Sequence, residues 1–255
     1  MDLERKLGKA RLVALILYFS TAVADGQAIP LLPPLTPAEL SMSDNPKQPG
    51  AAAAILYYAV DTDNQKWTET HALRIKVFRD EGKSYADVKI PYFERFSLVE
   101  EIQGRTISSD GKITPFSQEI FDREILKFKK FGYHAKIFTL PNVQSGSVLE
   151  CSYRVHYKEK IPEVFRHPEK YIFDRGFTFP AANWEIQHGL YLVHGQFSLL
   201  PVKGANIDNF AQGMQTVTFS HGLDGRMTLD IRDVEAFEPE EYALPEEALK
   251  KKINL

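Results

Sequence analysis

The only cysteine of the chain is the first residue whose type could carry out chemistry. Cys151 lies in the stretch VLECSYRV, and a thiolate with a base beside it can attack a substrate as a nucleophile. The alternating pattern of SVLECSYRVHY predicts a β-strand on which Cys151 shares one face with Leu149 and Tyr153. His156 lies on the other face and cannot act as the base within that strand. Because a catalytic thiol needs an electropositive and partly open site, the pattern predicts that Cys151 is a core residue and not a catalytic one.

Two histidines raise the question of a metal site. His188 and His194 bracket the stretch GLYLV, and on one uninterrupted strand they would share a face about 20 Å apart. Zinc holds its nitrogen ligands at about 2.0–2.1 Å, so this pair alone cannot chelate, although turns at the adjacent glycines would change the spacing. Neither an H-E-x-x-H motif nor a second cysteine accompanies them. The sequence therefore predicts neither a metal site nor a cofactor.

Carboxylates and aromatic side chains leave two further kinds of site open. Most carboxylates alternate with lysine or arginine, as in VFRDEGK and FDREILK, which is typical of solvated strand faces. An acidic pair of the glycosidase kind is set by position in space and not by spacing in the sequence, so it stays an alternative. Packing in the core is the default for aromatic residues on strands. The aromatic residues that could instead line a binding groove are Tyr57, Tyr58, Trp67, Phe177, Phe179 and Trp184.

The N-terminus has the features of a secretory signal peptide. MDLERKLGKAR is basic, the following LVALILYFSTAVA is uncharged, and the run ends in an A-x-A sequence at Ala24. An apolar run of this length is shorter than the roughly 20 residues of a membrane-spanning helix. We therefore predict a signal peptide over residues 1–24 and a periplasmic or secreted protein. Membrane contact is expected only if this segment is kept as an uncleaved anchor.

The remaining chain predicts an all-β domain. Residues 25–49 are rich in proline and predict an extended linker with little regular structure. From Gly50 to Leu255, short runs with period-2 alternation are separated by turn residues, such as the Asp110-Gly111 pair that signals a hairpin. This pattern predicts antiparallel, β-sandwich-like sheets over residues 50–255. The stretch PEEALKKKI predicts one short C-terminal helix. The formal net charge of −3 gives no reason to expect a nucleic-acid partner.

Several stretches resemble a known bacterial family. They are LRIKVFRDEGKSYADVKIPY, EEIQGRTISSDGKITPF, FDREI and KIFTLPNVQSGSVLECSYRV, and the closing DVEAFEPEEYALPEEALKKKI is also similar. The family is a domain of unknown function that follows a signal peptide and precedes a transglutaminase-like domain. The likeness covers nearly all of residues 50–255. It implies an extracytoplasmic β-sandwich without catalytic residues of its own, and an aromatic residue is more usual there at the position of Cys151.

These observations favour a non-enzymatic accessory or interaction domain. The expected partner is a separately encoded transglutaminase-like or peptidase-like protein. Ile253 and Leu255 are apolar residues at the end of the chain, and we predict an interface around residues 234–255 that includes them. The alternatives are a carbohydrate- or peptide-binding module, or a hydrolase that uses Cys151 or a carboxylate pair. No small-molecule cofactor is expected.

Overall fold

The structure of the chain is a computed structural model that describes residues 29–128, 131–158, 182–205, 207–215, 217–239 and 246–255. The described part is mostly β, with 51% of residues in strands and 7% in helices. The predicted all-β, sandwich-like class is therefore confirmed. The predicted signal peptide and the aromatic candidates Phe177 and Phe179 lie outside the described residues. In the part of the chain that is described, no helix is both long and apolar enough to cross a membrane.

Strands follow one another along most of the described chain, with short helices near its two ends. The helices are α1 (Pro37–Ser41), a 3-10 helix (Asp80–Ala86) and α2 (Glu246–Leu249). The strands are β1 (Ala53–Asp63), β2 (Thr68–Val77), β3 (Asp87–Phe93), β4 (Ser97–Ile107), β5 (Ile113–Pro115), β6 (Phe121–Phe128), β7 (Phe131–Thr139), β8 (Val148–Tyr157), β9 (Asn183–Glu185), β10 (Leu192–Leu200), β11 (Phe210–Gln212), β12 (Ser220–His221), β13 (Met227–Val234) and β14 (Lys252–Asn254).

The described strands form three sheets. The main sheet has eight strands in the order β12-β13-β10-β1-β2-β8-β4-β5, and all its pairs are antiparallel except β1 with β10. A second sheet, here called the outer sheet, has the order β3-β7-β6. The third, here called the terminal sheet, has the order β11-β14-β9. The parallel pair departs from the fully antiparallel arrangement that the sequence predicts, because β10 returns beside β1 from more than a hundred residues away.

One face of the main sheet, here called the core face, is packed against both smaller sheets. Leu149 and Cys151 of β8 lie in the same apolar cluster as Phe138 of the outer sheet and Trp184 and Ile253 of the terminal sheet. Apolar residues at alternate positions of β1, β2 and β8 supply the main-sheet side of this cluster. The result is a layered arrangement with its hydrophobic core between the main sheet and the two small ones.

The hairpin predicted at Asp110-Gly111 joins β4 to β5. Gly111 has φ +87°, a left-handed conformation that costs glycine little because it has no Cβ. The Asp110 carboxylate accepts a hydrogen bond of 3.1 Å from the backbone N–H of Lys112. These two features fix the turn, and Ile107 then pairs with Ile113 across it.

The apolar residues at the C-terminus are core residues. β14 pairs with β9 on one side and β11 on the other, and Ile253 is 0% exposed while Leu255 is buried. The prediction that Ile253 and Leu255 form an exposed apolar interface is therefore wrong. Two neighbouring strands and the core cluster cover these side chains.

The proline-rich stretch also differs from its prediction. Residues 29–50, here called the N-terminal segment, contain α1 and lie against the second face of the main sheet. Arg74 and Lys76 of β2 bind the segment's backbone carbonyls, and Leu32 packs against Tyr57, Ala59 and Ala72. The interpretation of this stretch as an extended linker is wrong over residues 29–49, because polar side chains of the sheet hold it in place.

Candidate functional site

Cys151 lies deep in the main sheet. It pairs with Leu73 of β2 on one side and Gly104 of β4 on the other, and its thiol is buried and free. Burial raises the pKa of Cys151 to about 12, because the thiolate loses its hydration in an apolar environment. A thiol held in this way is protonated at neutral pH, which confirms its assignment to the core.

The two candidate histidines do not share a strand. β9 ends at Glu185 and β10 begins at Leu192, so His188 lies in the connection between the two strands and His194 within β10. Of the two arrangements that the sequence left open, the structure has the one with a turn near Gly189. His194 contacts Asp230 of β13 at 2.6 Å. His188 instead packs edge-on against Tyr58.

His188 lies beside a hydrogen-bonded cluster on the core face that sequence reasoning missed. His71 contacts Glu69 at 2.7 Å through Nε2 and the hydroxyl of Tyr58 at 3.0 Å through Nδ1. The His71 ring stacks on Tyr153 with ring centroids 4.7 Å apart. Alternation could have revealed this cluster, since Glu69 and His71 occupy the core-facing positions of β2, opposite Tyr153 and its neighbours on β8.

Burial shifts the pKa values of two side chains in and beside this cluster. Burial raises the pKa of Tyr58 far above its usual value and lowers the pKa of His188, because both charged forms lose hydration. The Nε2 atom of His188 is buried and has no hydrogen-bond partner among the residues that the structure describes. Within the described ranges, no group of three or more histidine, cysteine or acidic side chains could hold a metal ion.

A second missed cluster lies on the opposite face, beneath the N-terminal segment. Glu150 of β8 is 0% exposed. Its two carboxylate oxygens accept hydrogen bonds from Arg74 at 2.7 Å and Arg105 at 2.6 Å. Arg74 also contacts Glu39 of the segment at 3.1 Å. The sequence pattern predicts that this face of the main sheet is solvated. The apolar residues of IPLLPPL in the N-terminal segment are the sequence signal that the segment packs on this face.

The aromatic candidates that the structure describes do not line an open groove. Trp184 is buried with its ring centroid 5.5 Å from that of Phe197, and Tyr58 lies 5.8 Å from the same ring. Tyr57 is buried on the second face and donates a hydrogen bond to Gln196. Trp67 lies in the turn between β1 and β2 with φ +60°. Three of the four are thus placed by packing within the fold.

The outer sheet carries the most evident exposed apolar surface. Phe93 pairs with Tyr133, which pairs in turn with Leu126, and their rings and side chains occupy one face. Phe121 lies further along the same face of β6 and is 49% exposed, while Leu126 is 62% exposed. These four residues are here called the outer apolar face. The bulge between Glu124 and Leu126 adds twist to β6, which discourages other strands from pairing with this edge.

The comparisons with known proteins agree with this fold. The family described as a Domain of Unknown Function with a solved structure (DUF3857) matches residues 63–208, more than half of the chain. A crystal structure of a putative protease from Parabacteroides distasonis is similar with a TM-score of 0.60 and 14% sequence identity. The similarity covers 80% of this chain and 40% of that protease, so it shows the fold alone.

A second structure is more distant. Yeast LTA4 hydrolase in complex with bestatin has a TM-score of 0.35 and 8% identity over 80% of this chain and 28% of the hydrolase, too low to support an argument. None of the curated proteins compared matches the chain. The family match over more than half of the chain leads to one conclusion: the chain belongs to the DUF3857 family.

Proposed function

We propose that the chain is a non-enzymatic extracytoplasmic accessory domain that binds a separate transglutaminase-like or peptidase-like protein through the outer apolar face. The observation that carries this proposal is the exposure of Phe93, Phe121 and Leu126 on one side of the outer sheet. Contiguous exposed apolar residues on a folded domain mark interaction surfaces. The basic and apolar N-terminal run supports an extracytoplasmic location.

The environments of the reactive side chains support a role without catalysis. Cys151 is buried and protonated at neutral pH, and Glu150 is bound by two arginines. His71 is held between Glu69 and Tyr58. Cys151 and Glu150 are buried, and His71 is hydrogen-bonded within the fold, whereas catalysis needs a group that a substrate can reach.

The way in which a partner would bind follows from the shape of β6. The bulge and the charges of Asp122, Glu124 and Lys127 disfavour strand addition at its edge. The aromatic rings of Phe93 and Tyr133 lie 5.1 Å apart on the broad face. We therefore expect the partner to cover this face with apolar side chains and not to extend the sheet.

A binding assay tests the proposal. The double variant Phe121→Ser/Leu126→Ser should weaken binding to a transglutaminase-like protein encoded in the same genome by tenfold or more, about 1.4 kcal/mol, as measured by calorimetry. Leu223→Ser is the matched control, because Leu223 is fully exposed outside the outer sheet, and it should leave the affinity unchanged. Equal affinity for both variants, or peptide cross-linking or hydrolysis by the purified chain that Cys151→Ala abolishes, would contradict the proposal.

A further inference from the structure

The N-terminal segment is attached to the main sheet in an unusual way for part of a fold. The backbone hydrogen bonds found for it in the described chain are local, such as Leu40 to Thr36 and Gln48 to Asn45. Its ladder-type bridge, between Asn45 and Gln48, is internal as well. The segment thus lies on the sheet without being paired to a strand of it.

Side chains of the sheet hold the segment by its backbone and by one carboxylate. Arg74 donates to the carbonyl of Pro33 at 2.5 Å and to Glu39 at 3.1 Å. Lys76 donates to the carbonyl of Leu40 at 2.6 Å. These contacts bind one backbone carbonyl before α1, one carbonyl within α1 and the carboxylate of Glu39 in α1. Protein grooves bind peptides through similar contacts to the backbone and to a few side chains.

The segment itself buries little. None of the residues of α1 is buried, and Leu31 is exposed. The buried side chains of the segment are Ile29 and Asn45, near its two ends. Detaching the segment therefore removes much less apolar contact than detaching a core strand.

The N-terminal segment adds a carboxylate to the charged group beneath it. Glu150 of the sheet binds Arg74 and Arg105, and Glu39 of the segment contacts Arg74 as a second carboxylate. Lys76 donates to the carbonyls of Leu40 and Gly146. Release of the segment would therefore remove one carboxylate from Arg74 and one carbonyl from Lys76.

We propose that the second face of the main sheet is a peptide-binding site for a segment that carries a carboxylate on a short helical turn, and that the N-terminal segment occupies it as an intramolecular ligand. Arg74 and Lys76 bind the peptide backbone, and Arg74 also binds the carboxylate. This site and the outer apolar face lie on different sheets, so this inference goes beyond the proposed function and either of the two can fail alone.

The test separates the segment from the sheet in the full-length protein. A protease recognition sequence is inserted between Gly50, which is exposed and has φ +87°, and Ala51. After cleavage, a fluorescent synthetic peptide of residues 29–50 is titrated into the protein, and its anisotropy is measured. The released segment should exchange for the labelled peptide, with saturable binding.

Variant peptides show whether the contacts described here cause the binding. A peptide with Glu39→Gln should bind about tenfold more weakly or worse, because a charge-assisted hydrogen bond to buried Arg74 is lost. A peptide with Lys47→Gln also changes by one charge, but in the described residues the ammonium group of Lys47 pairs with the exposed Asp233, so its affinity should stay within about twofold. Equal affinities of the wild-type and Glu39→Gln peptides would overturn the proposal. So would absence of binding, or loss of the folded circular-dichroism spectrum once the segment is released, since the segment would then be part of the core.

Discussion

The two faces of the main sheet are covered by different means. The core face meets apolar side chains from both small sheets, including Phe138, Trp184 and Ile253. The second face is covered by the N-terminal segment, and its buried side chains include the ionic group of Arg74 and Glu150. Both faces exclude water, but the first does so through nondirectional apolar contact and the second through directed charge-assisted hydrogen bonds.

Apolar packing on the core face and ionic contacts on the second face contribute differently to stability and to selectivity. Apolar packing stabilises in proportion to the area it removes from water and tolerates little rearrangement. A buried ionic group contributes little net stability, because the desolvation of its charges offsets their attraction, but it is sensitive to the loss of one partner. The core face therefore accounts for most of the stability of the fold, and the second face for its selectivity toward what covers it.

The largest effect is expected when one partner of the buried ionic group is removed. Arg74→Ala should lower the free energy of unfolding by about 3–5 kcal/mol, because it leaves Glu150 buried with less compensation. Urea denaturation measures this value. Arg154→Ala is the control, since Arg154 and Glu101 are partly exposed, and such pairs contribute about 1 kcal/mol or less. Equal effects of the two substitutions would remove the distinction between the faces.

A core substitution at the C-terminus should have the next largest effect. Ile253→Ala should lower the free energy of unfolding by about 2–5 kcal/mol, because it leaves a cavity where β14 meets the core cluster. Thermal or urea unfolding measures the loss. Leu249→Ala, at an exposed position only four residues away, should change the stability by about 0.5 kcal/mol or less. A small effect of Ile253→Ala would show that β14 contributes little to the free energy of unfolding.

Substitution and chemical labelling of Cys151 test whether the core face excludes water. Cys151→Ser should cost about 1–3 kcal/mol, because a hydroxyl group without a partner is buried, and Cys151→Ala should cost less. A thiol reagent at neutral pH should label the native protein far more slowly than the urea-unfolded protein. Rapid labelling of the native state would contradict the raised pKa of Cys151.

The smallest effect is a pH dependence on the second face. Burial raises the pKa of Glu39, but hydrogen bonds from Thr36 and the charge of Arg74 outweigh this and leave its pKa below the usual value. Its contribution to stability is therefore present above the pKa of the unfolded chain, about 4.3, and is lost as the pH falls through the lower pKa of the folded state.

Substitution of Glu39 isolates the contribution of its carboxylate charge to stability. Glu39→Gln should lower the free energy of unfolding by about 1 kcal/mol at pH 7, and the difference from the wild type should shrink as the pH falls below about 4. Urea denaturation between pH 3 and 7 measures both values. A difference that is the same at every pH would mean that the carboxylate charge contributes nothing.

The sequence allowed the core face to be predicted better than the second face. Alternation identified β2 and β8, and it assigned Cys151 to the core, because apolar residues at every second position of a strand usually face the core. The same rule assigned Arg74 and Glu150 to solvent, since it reads charged positions as exposed. Alternation within a strand does not show that the proline-rich segment before β1 covers these side chains.

Residues close to the chain end were the other source of error. Ile253 and Leu255 follow a short helix, and nothing local indicates that they pair with β9 and β11. For His188 and His194, the sequence left open whether one strand or a turn at the adjacent glycines separates them. Alternation along β2 could have revealed Glu69 and His71 of the missed cluster, but not Tyr58, because Tyr58 comes from a different strand.

The parallel junction between β1 and β10 has a consequence for how the chain folds. Tyr57 and Gln196, which hydrogen-bond across this junction, are 139 positions apart, so the junction closes a very long loop. The antiparallel strands β1, β2, β8 and β4 can pair earlier, because their connections are shorter, and contacts between distant residues slow folding. Until β10 arrives, the backbone edge of β1 stays open in the middle of the future sheet. We therefore expect a slow last phase in refolding, with aggregation that grows with protein concentration during that phase.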